Sequence, residues 1–89
     1  MIASLAGIEG DLVLIRICVE ARSLEDLLEA LAEAPFPLNP QLYHHPETVV
    51  EFPAYSSRVN EIVRVITSRG FDAGQMQVVN LLESIERAG

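Results

Sequence analysis

The chain has 89 residues, a formal net charge of −7, a hydrophobic content of 49% and one cysteine. This length allows one domain, and the apolar content excludes a disordered acidic tail. The lone cysteine excludes a disulfide scaffold, and no apolar run approaches the roughly 20 residues of a membrane helix. The negative charge argues against binding nucleic acid through a basic surface. We expect a single soluble domain, with neither nucleic acid nor membrane among its partners.

The first regular element is a predicted strand over residues 12–21, LVLIRICVEA, which is rich in β-branched residues. Its side chains alternate between two faces. One face is wholly apolar and is predicted to be core: Val13, Ile15, Ile17 and Val19. The other face is mixed: Leu12, Leu14, Arg16, Cys18 and Glu20.

Ser23 is predicted to cap a helix that ends at Ala34, because Pro35 disfavours a helical conformation of the residue before it. Asp26 lies at the capping-box position relative to Ser23. Four leucines have the spacing of one helical stripe and are expected to face the core: Leu24, Leu27, Leu28 and Leu31.

Prolines interrupt the next stretch, where residues 41–45 are predicted to form a short edge strand. Residues 48–55, TVVEFPAY, are the following predicted strand. Its inward residues are Val50, Phe52 and Ala54. Its outward residues are Val49, Glu51, Pro53 and Tyr55. Because proline lacks an N–H donor, we expect a bulge or a missing ladder bond at Pro53.

A second helix is predicted after Ser56 or Ser57, either of which could cap it. Its apolar stripe is formed by Val59, Ile62, Val63 and Ile66. Gly70 supplies the left-handed residue that ends many helices. Residues 75–82, QMQVVNLL, are predicted to be the last strand, with no clear inward face.

The order strand, helix, strand, strand, helix, strand predicts one ferredoxin-like domain spanning residues 1–89, with its core in residues 12–82. It is an α+β fold with a four-stranded antiparallel sheet and two helices on one face. The other sheet face would be bare, and the first and third strands would be adjacent on it, so that Arg16 can pair with Glu51. A half-apolar, half-charged face is typical of a subunit interface, so we expect a homodimer or higher oligomer, formed through this face or by edge-to-edge sheet extension.

The same order resembles that of ACT-like ligand-sensing domains, which dimerise and bind amino acids between subunits. The resemblance centres on the junction of the first strand and first helix, residues Glu20, Ala21, Arg22 and Ser23. That family usually has an acid and a Pro-Gly pair there. Here Glu20 stands for the acid, whereas Arg22-Ser23 replaces Pro-Gly. The resemblance implies that a small metabolite such as an amino acid binds at this junction.

A second candidate pocket lies over the bare face and would include Tyr43, His44, His45 and Asn80. Adjacent histidines on a strand point to opposite faces, so we expect no metal site there, and we expect no cofactor. Cys18 lies mid-strand, away from any predicted helix end, and is expected to be an inert thiol. A free thiol and the absence of a positively charged leader favour the cytoplasm.

Three functions are compatible with this sequence. The first is a non-catalytic regulatory or interaction module of the ACT-like type, which acts as a homo-oligomer. The second is a small enzyme of the dimeric α+β barrel type, with His44 or His45 as acid or base in a pocket on the open face. The third is a structural subunit of a larger complex.

Overall fold

The computed structural model describes residues 6–7 and 10–80, the first two by their backbone. Its strands and helices, in chain order, are β1 (Ala6–Gly7), β2 (Gly10–Cys18), α1 (Leu24–Leu31), β3 (Gln41–Tyr43), β4 (Val49–Tyr55), α2 (Val59–Ser68) and β5 (Met76–Asn80). Short 3-10 turns at residues 21–23, 56–58 and 73–75 precede α1, α2 and β5.

The main sheet has the spatial order β3-β4-β2-β5, and every neighbouring pair is antiparallel. The short β1 pairs with the start of β2. Strands β2 and β3 are therefore parallel, as are β4 and β5, and each parallel pair is joined through one helix. The α+β prediction is confirmed, and this arrangement is compatible with a ferredoxin-like fold.

Both helices cover the same face of the sheet. Phe52 of β4 lies opposite Ile15 of β2 on that face and is only 1% exposed. The stripe of α1 is confirmed, with Leu27 and Leu31 buried and Leu24 and Leu28 packed at the margin. The buried cluster consists of Val13, Ile15, Ile17, Val19, Leu27, Leu31, Val50, Phe52, Ala54, Ile62, Val65 and Ile66.

Strand boundaries differ from the prediction at the ends. β2 begins at Gly10 and ends at Cys18, because the backbone then turns into the 3-10 segment; the Val19 N–H still donates to the Thr48 carbonyl at 3.1 Å. β5 begins at Met76, since Asp72 caps the turn before it. Positions 81 and 82 of the predicted last strand lie outside the described residues. Strand β3 stops at Tyr43, before the two histidines.

Neither predicted serine cap forms. Ser23 precedes α1 but makes no side-chain cap bond, because its backbone lies in the 3-10 turn, where its N–H donates to the Glu20 carbonyl at 2.8 Å, and not in the extended conformation of an N-cap residue. Ser56 instead accepts a hydrogen bond from the Asp11 N–H at 3.0 Å. The hydroxyl therefore joins the start of β2 to the start of the second helical segment.

Two further predictions, on the core face of α2 and on Pro53, need correction. Helix α2 buries Val65 rather than Val63, so its core face is rotated from the predicted stripe. Val49 faces outward as predicted but is only 6% exposed. Pro53 causes no bulge, because the register between β2 and β4 is continuous through it. On its other side β3 begins opposite Glu51 and does not extend to Pro53.

The ends of the helices are tied together by Arg69. Its guanidinium lies 3.7 Å from Glu29 on α1 and against Glu33, just past the end of α1. The hydrogen bond with Glu33 raises the pKa of Arg69. Gly70 has the predicted positive φ, at 92°, and ends the helical segment. No helix within residues 10–80 is long and apolar enough to cross a membrane.

Candidate functional site

The sheet face opposite the helices carries the predicted mixed residues, and we call it the uncovered face. It consists of Leu12, Leu14, Arg16 and Cys18 on β2; Val49, Glu51, Pro53 and Tyr55 on β4; Gln41 and Tyr43 on β3; and Gln77 and Val79 on β5. No helix or strand among the described residues packs over it. Of the residues predicted for this face, only Glu20 is not part of it, because β2 ends at Cys18.

The side chains of the uncovered face form bands across the strands. Register places four polar residues in one row: Gln41, Glu51, Arg16 and Gln77. On one side of this row lies an apolar band of Leu12, Leu14, Pro53, Tyr55 and Val79. On the other side lie Cys18, Val49 and Tyr43. A charged stripe thus separates two less polar ends.

The predicted Arg16–Glu51 pair is present at the middle of the charged row. The Arg16 Nε lies 2.9 Å from Glu51 Oε2, and the two side chains are 43% and 21% exposed. This nitrogen is itself shielded from solvent and makes no well-aligned hydrogen bond despite the short distance. A pair this exposed contributes only about 0–1 kcal/mol to stability, so its position matters more than its strength.

A recess of about 410 Å³ opens at the Cys18 end of the uncovered face, and we call it the loop recess. The segment that connects β3 to β4 forms one of its walls. Its lining residues are Arg16, Cys18, Tyr43, His45, Pro46, Glu47, Val49, Glu51 and Gln77. The hydroxyl of Tyr43 donates to Gln41 Oε1 at 3.0 Å. The recess therefore combines an imidazole, a phenol, a guanidinium and two carboxylates.

Cys18 is free and partly buried at the floor of the loop recess. Burial raises the pKa of its thiol, and the hydrogen bond and negative charge of Glu47 raise it further, against a smaller opposing effect of Arg16. The folded protein thus holds this proton more tightly than the unfolded chain, so the associated stability is lost as pH rises through the raised pKa. Because the thiolate is the nucleophile, the environment supports the predicted inert thiol.

We expect Glu47→Gln to make Cys18 react faster with iodoacetamide at neutral pH, since removing the carboxylate lowers the thiol pKa. The measurement is the alkylation rate against pH, whose inflection should move to lower pH. Asp11→Asn is the matched control, because Asp11 lies at the opposite end of β2. Equal rates in the two variants would show that Glu47 does not govern the thiol.

A second recess, of about 490 Å³, lies at the junction of β2 and α1, and we call it the junction recess. Two of the four residues expected to bind a metabolite, Glu20 and Ser23, line it together with Val19, Asp26, Arg69, Gly70, Phe71 and Gln75. Ala21 and Arg22 do not line it; Arg22 instead pairs with Glu20 at 3.3 Å in an exposed position. Since Arg69 already holds the carboxylates of Glu29 and Glu33, a ligand here would compete with both.

The remaining predicted pocket residues are divided by the fold. His45 and Tyr43 line the loop recess, whereas His44 does not. Asn80 pairs with Val13 at the other end of the sheet and on the helix side, so it cannot join them. Leu12 and Tyr55 line a separate apolar recess of about 290 Å³, which also includes Phe36, Pro37, Leu38, Pro53, Ala54 and Arg58.

Sequence reasoning missed several residues of these recesses. Glu47 and Gln77 enter the loop recess from a turn and from β5, whose faces the sequence left unassigned. Gln75 was missed because its Nε2 donates to the Cys18 carbonyl, 57 positions away, at 3.3 Å. The only signal for these residues was their polarity next to a predicted strand. Within residues 10–80, no group of three or more metal-binding side chains is close enough to hold an ion.

Comparison of the sequence with family models and curated proteins found no relative. No family model matches the chain, and no curated protein matches it significantly. The class is therefore defined by the fold alone: a small α+β domain with a four-stranded antiparallel sheet, two helices on one face and a banded face opposite.

Proposed function

We propose that this protein is a non-catalytic regulatory or interaction module that works as a homodimer, with the uncovered face as its subunit interface. The observation that carries the proposal is the banding of that face. Its apolar and aromatic residues, among them Tyr43 and Tyr55 at 43% and 38% exposed, flank a central row that holds one positive and one negative charge on the two middle strands. Interfaces combine apolar patches with paired polar groups in this way.

A second copy of the chain is the partner that this pattern fits best. The charged row carries equal and opposite charges, so a second copy can supply the complement of each. The overall charge of −7 makes a strongly acidic partner unfavourable. A basic partner would leave Arg16 facing like charge. The junction recess, with Glu20 and Ser23, is where the ACT-like resemblance places a small metabolite.

Sedimentation equilibrium tests the dimer directly. We expect wild-type protein to be dimeric at micromolar concentration, and we expect Leu14→Asp to raise the dimer dissociation constant on the order of a hundredfold, because it buries an unpaired charge. Asn60→Asp is the matched control, since it adds the same charge on an exposed position of α2.

Circular dichroism establishes whether Leu14→Asp is still folded. A folded wild type that stays monomeric throughout the micromolar range would refute the proposed function. So would a Leu14→Asp variant that is folded and associates as tightly as Asn60→Asp.

The loop recess supports a second candidate, an enzyme of the dimeric α+β barrel type. The favouring observation is that one recess of about 410 Å³ holds both His45 and Tyr43, next to Arg16. An imidazole beside a phenol and a guanidinium can move a proton and hold an anionic group. Of the two histidines considered, His45 is the one in position for this role. An enzyme would consume its ligand, whereas the regulatory module would release it unchanged.

A further inference from the structure

We infer that the two-fold axis of the proposed dimer runs parallel to β2 and β4 and between them, so that the two loop recesses merge into one chamber with walls from both copies. This inference rests on the proposed function for the existence of the dimer. It goes beyond it by fixing the geometry and by making the chamber incomplete in one subunit.

The charged row supports this axis. A two-fold axis between the middle strands places β2 of one copy over β4 of the other. Arg16 then lies over Glu51 of the partner subunit, and its own Glu51 lies over Arg16 of the partner subunit. Together with the 2.9 Å pair within each chain, the four groups alternate in sign around a ring. Aligned sheets cross at about 30°, so the match is best at this central row.

The same two-fold rotation also brings the apolar bands of the two copies together. Leu14 and Pro53 are cross-strand partners within one chain, so the axis places Leu14 over Pro53 of the partner subunit. Leu12 is paired with Tyr55 in the same way. Each large side chain thus meets a neighbour of different shape, which is what interdigitating sheet faces require.

The other face-to-face arrangement is disfavoured by charge. An axis perpendicular to the strands would place every residue of the row over its own copy. Arg16 would face Arg16 of the partner subunit, and Glu51 would face Glu51 of the partner subunit. Like charges opposed in an interface carry a large penalty. That arrangement would also cover each loop recess with the partner's apolar band.

The position of the loop recess determines how the inferred two-fold axis affects it. It lies on the Cys18 side of the charged row. An axis parallel to the strands brings this end of one sheet over the same end of the other, so recess meets recess. The partner subunit then supplies the missing wall, and Cys18 becomes enclosed.

The accessibility of Cys18 tests the chamber. The thiol is labelled with N-ethylmaleimide and with a maleimide on a long polyethylene glycol chain, and the ratio of the two rates cancels the thiolate fraction. For the wild-type dimer we expect the bulky-to-small rate ratio to be on the order of tenfold lower than for the Leu14→Asp monomer, since the bulky reagent must wait for opening. Asn60→Asp should match the wild type.

Cross-linking tests the axis. In a Cys18→Ser background, Leu14→Cys subunits are mixed with wild-type subunits, whose one cysteine is Cys18, and treated with a short bis-maleimide. Each chain has one cysteine, so every link joins two chains, and mass spectrometry identifies the linked positions. The inferred axis keeps each row of one sheet over the same row of the other, so it predicts links from position 14 to position 14 and few links from position 14 to Cys18. The perpendicular axis predicts the reverse, because it places Leu14 over Cys18 of the partner subunit.

The outcomes separate the two proposals. A dimer in which Cys18 labels equally in wild type and Leu14→Asp, or in which position 14 links to Cys18 rather than to position 14, overturns the inferred geometry and leaves the homodimer standing. A dimer formed by edge-to-edge sheet extension would give equal labelling of Cys18 in the wild type and in Leu14→Asp. A wild-type monomer by sedimentation overturns both.

Discussion

Replacing Phe52 by alanine is expected to lower the free energy of unfolding by about 3–5 kcal/mol, the usual cost of truncating a buried phenylalanine. The side chain is 1% exposed and lies on β4 under both helices, opposite Ile15. A domain of this size has a total stability of roughly 4–13 kcal/mol. The variant should therefore lose a large part of its stability, measured by urea denaturation followed by far-ultraviolet circular dichroism.

Leu42→Ala is the matched control for this experiment. Leu42 is also an apolar strand residue on the helix side of the sheet, but it lies on the edge strand β3 and is 42% exposed. Its truncation should cost less than about 1 kcal/mol. Both variants must be compared at one protein concentration, because a dimer's stability depends on it. Equal losses in the two variants would contradict the position of the core under the helices.

The order of the elements could be predicted from the sequence because each has a strong local pattern. The alternation of β2 and the leucine stripe of α1 reflect burial on one side, and a buried face leaves its period in the chain. The Arg16–Glu51 pair was also predictable, because strand order and side-chain alternation together leave few neighbours for Arg16.

The errors occurred where contacts distant in sequence override local preference. Ser56 is a good cap by residue type, but its hydroxyl is taken by the N–H of Asp11, 45 positions away. Ser23 is the local exception, because its N–H bonds to the nearby Glu20 carbonyl in a turn. The loop recess was only partly predicted for the same reason: Gln77 reaches it from the edge strand β5, next to Arg16 in space but not in sequence.

The two faces of the sheet differ in what their sequence patterns indicate about function. The helix side of the sheet is specified by hydrophobic periodicity, so its description needs nothing outside the chain. The uncovered face has an equally regular pattern, with bands in register across the strands. No helix or strand among the described residues packs over it. We expect such a pattern on a surface that binds a complementary surface. Because the central row carries opposite charges, a second copy of the chain can be that partner.

Gly10→Ala is expected to destabilise the fold by about 2–3 kcal/mol, as the sum of two effects. Gly10 has a φ of 91°, where a side chain costs roughly 1–2 kcal/mol. An added Cβ would also overlap the Ser56 Oγ, which accepts the Asp11 N–H. Displacing that hydroxyl costs about 1 kcal/mol more, the net value of a typical hydrogen bond. Thermal or urea unfolding measures the total.

Gly70→Ala separates the two effects, because Gly70 has nearly the same φ, 92°, with nothing within 4 Å of an added Cβ. It should show the backbone cost alone, so the difference between the two glycine variants isolates the contact with Ser56. Adding Ser56→Ala to Gly10→Ala removes the overlapping atom, and the double variant should lose less than the sum of the single losses. Strictly additive losses would mean that residue 10 and Ser56 are not in contact. They would also contradict the inference that Ser56 anchors β2 to the start of the second helical segment.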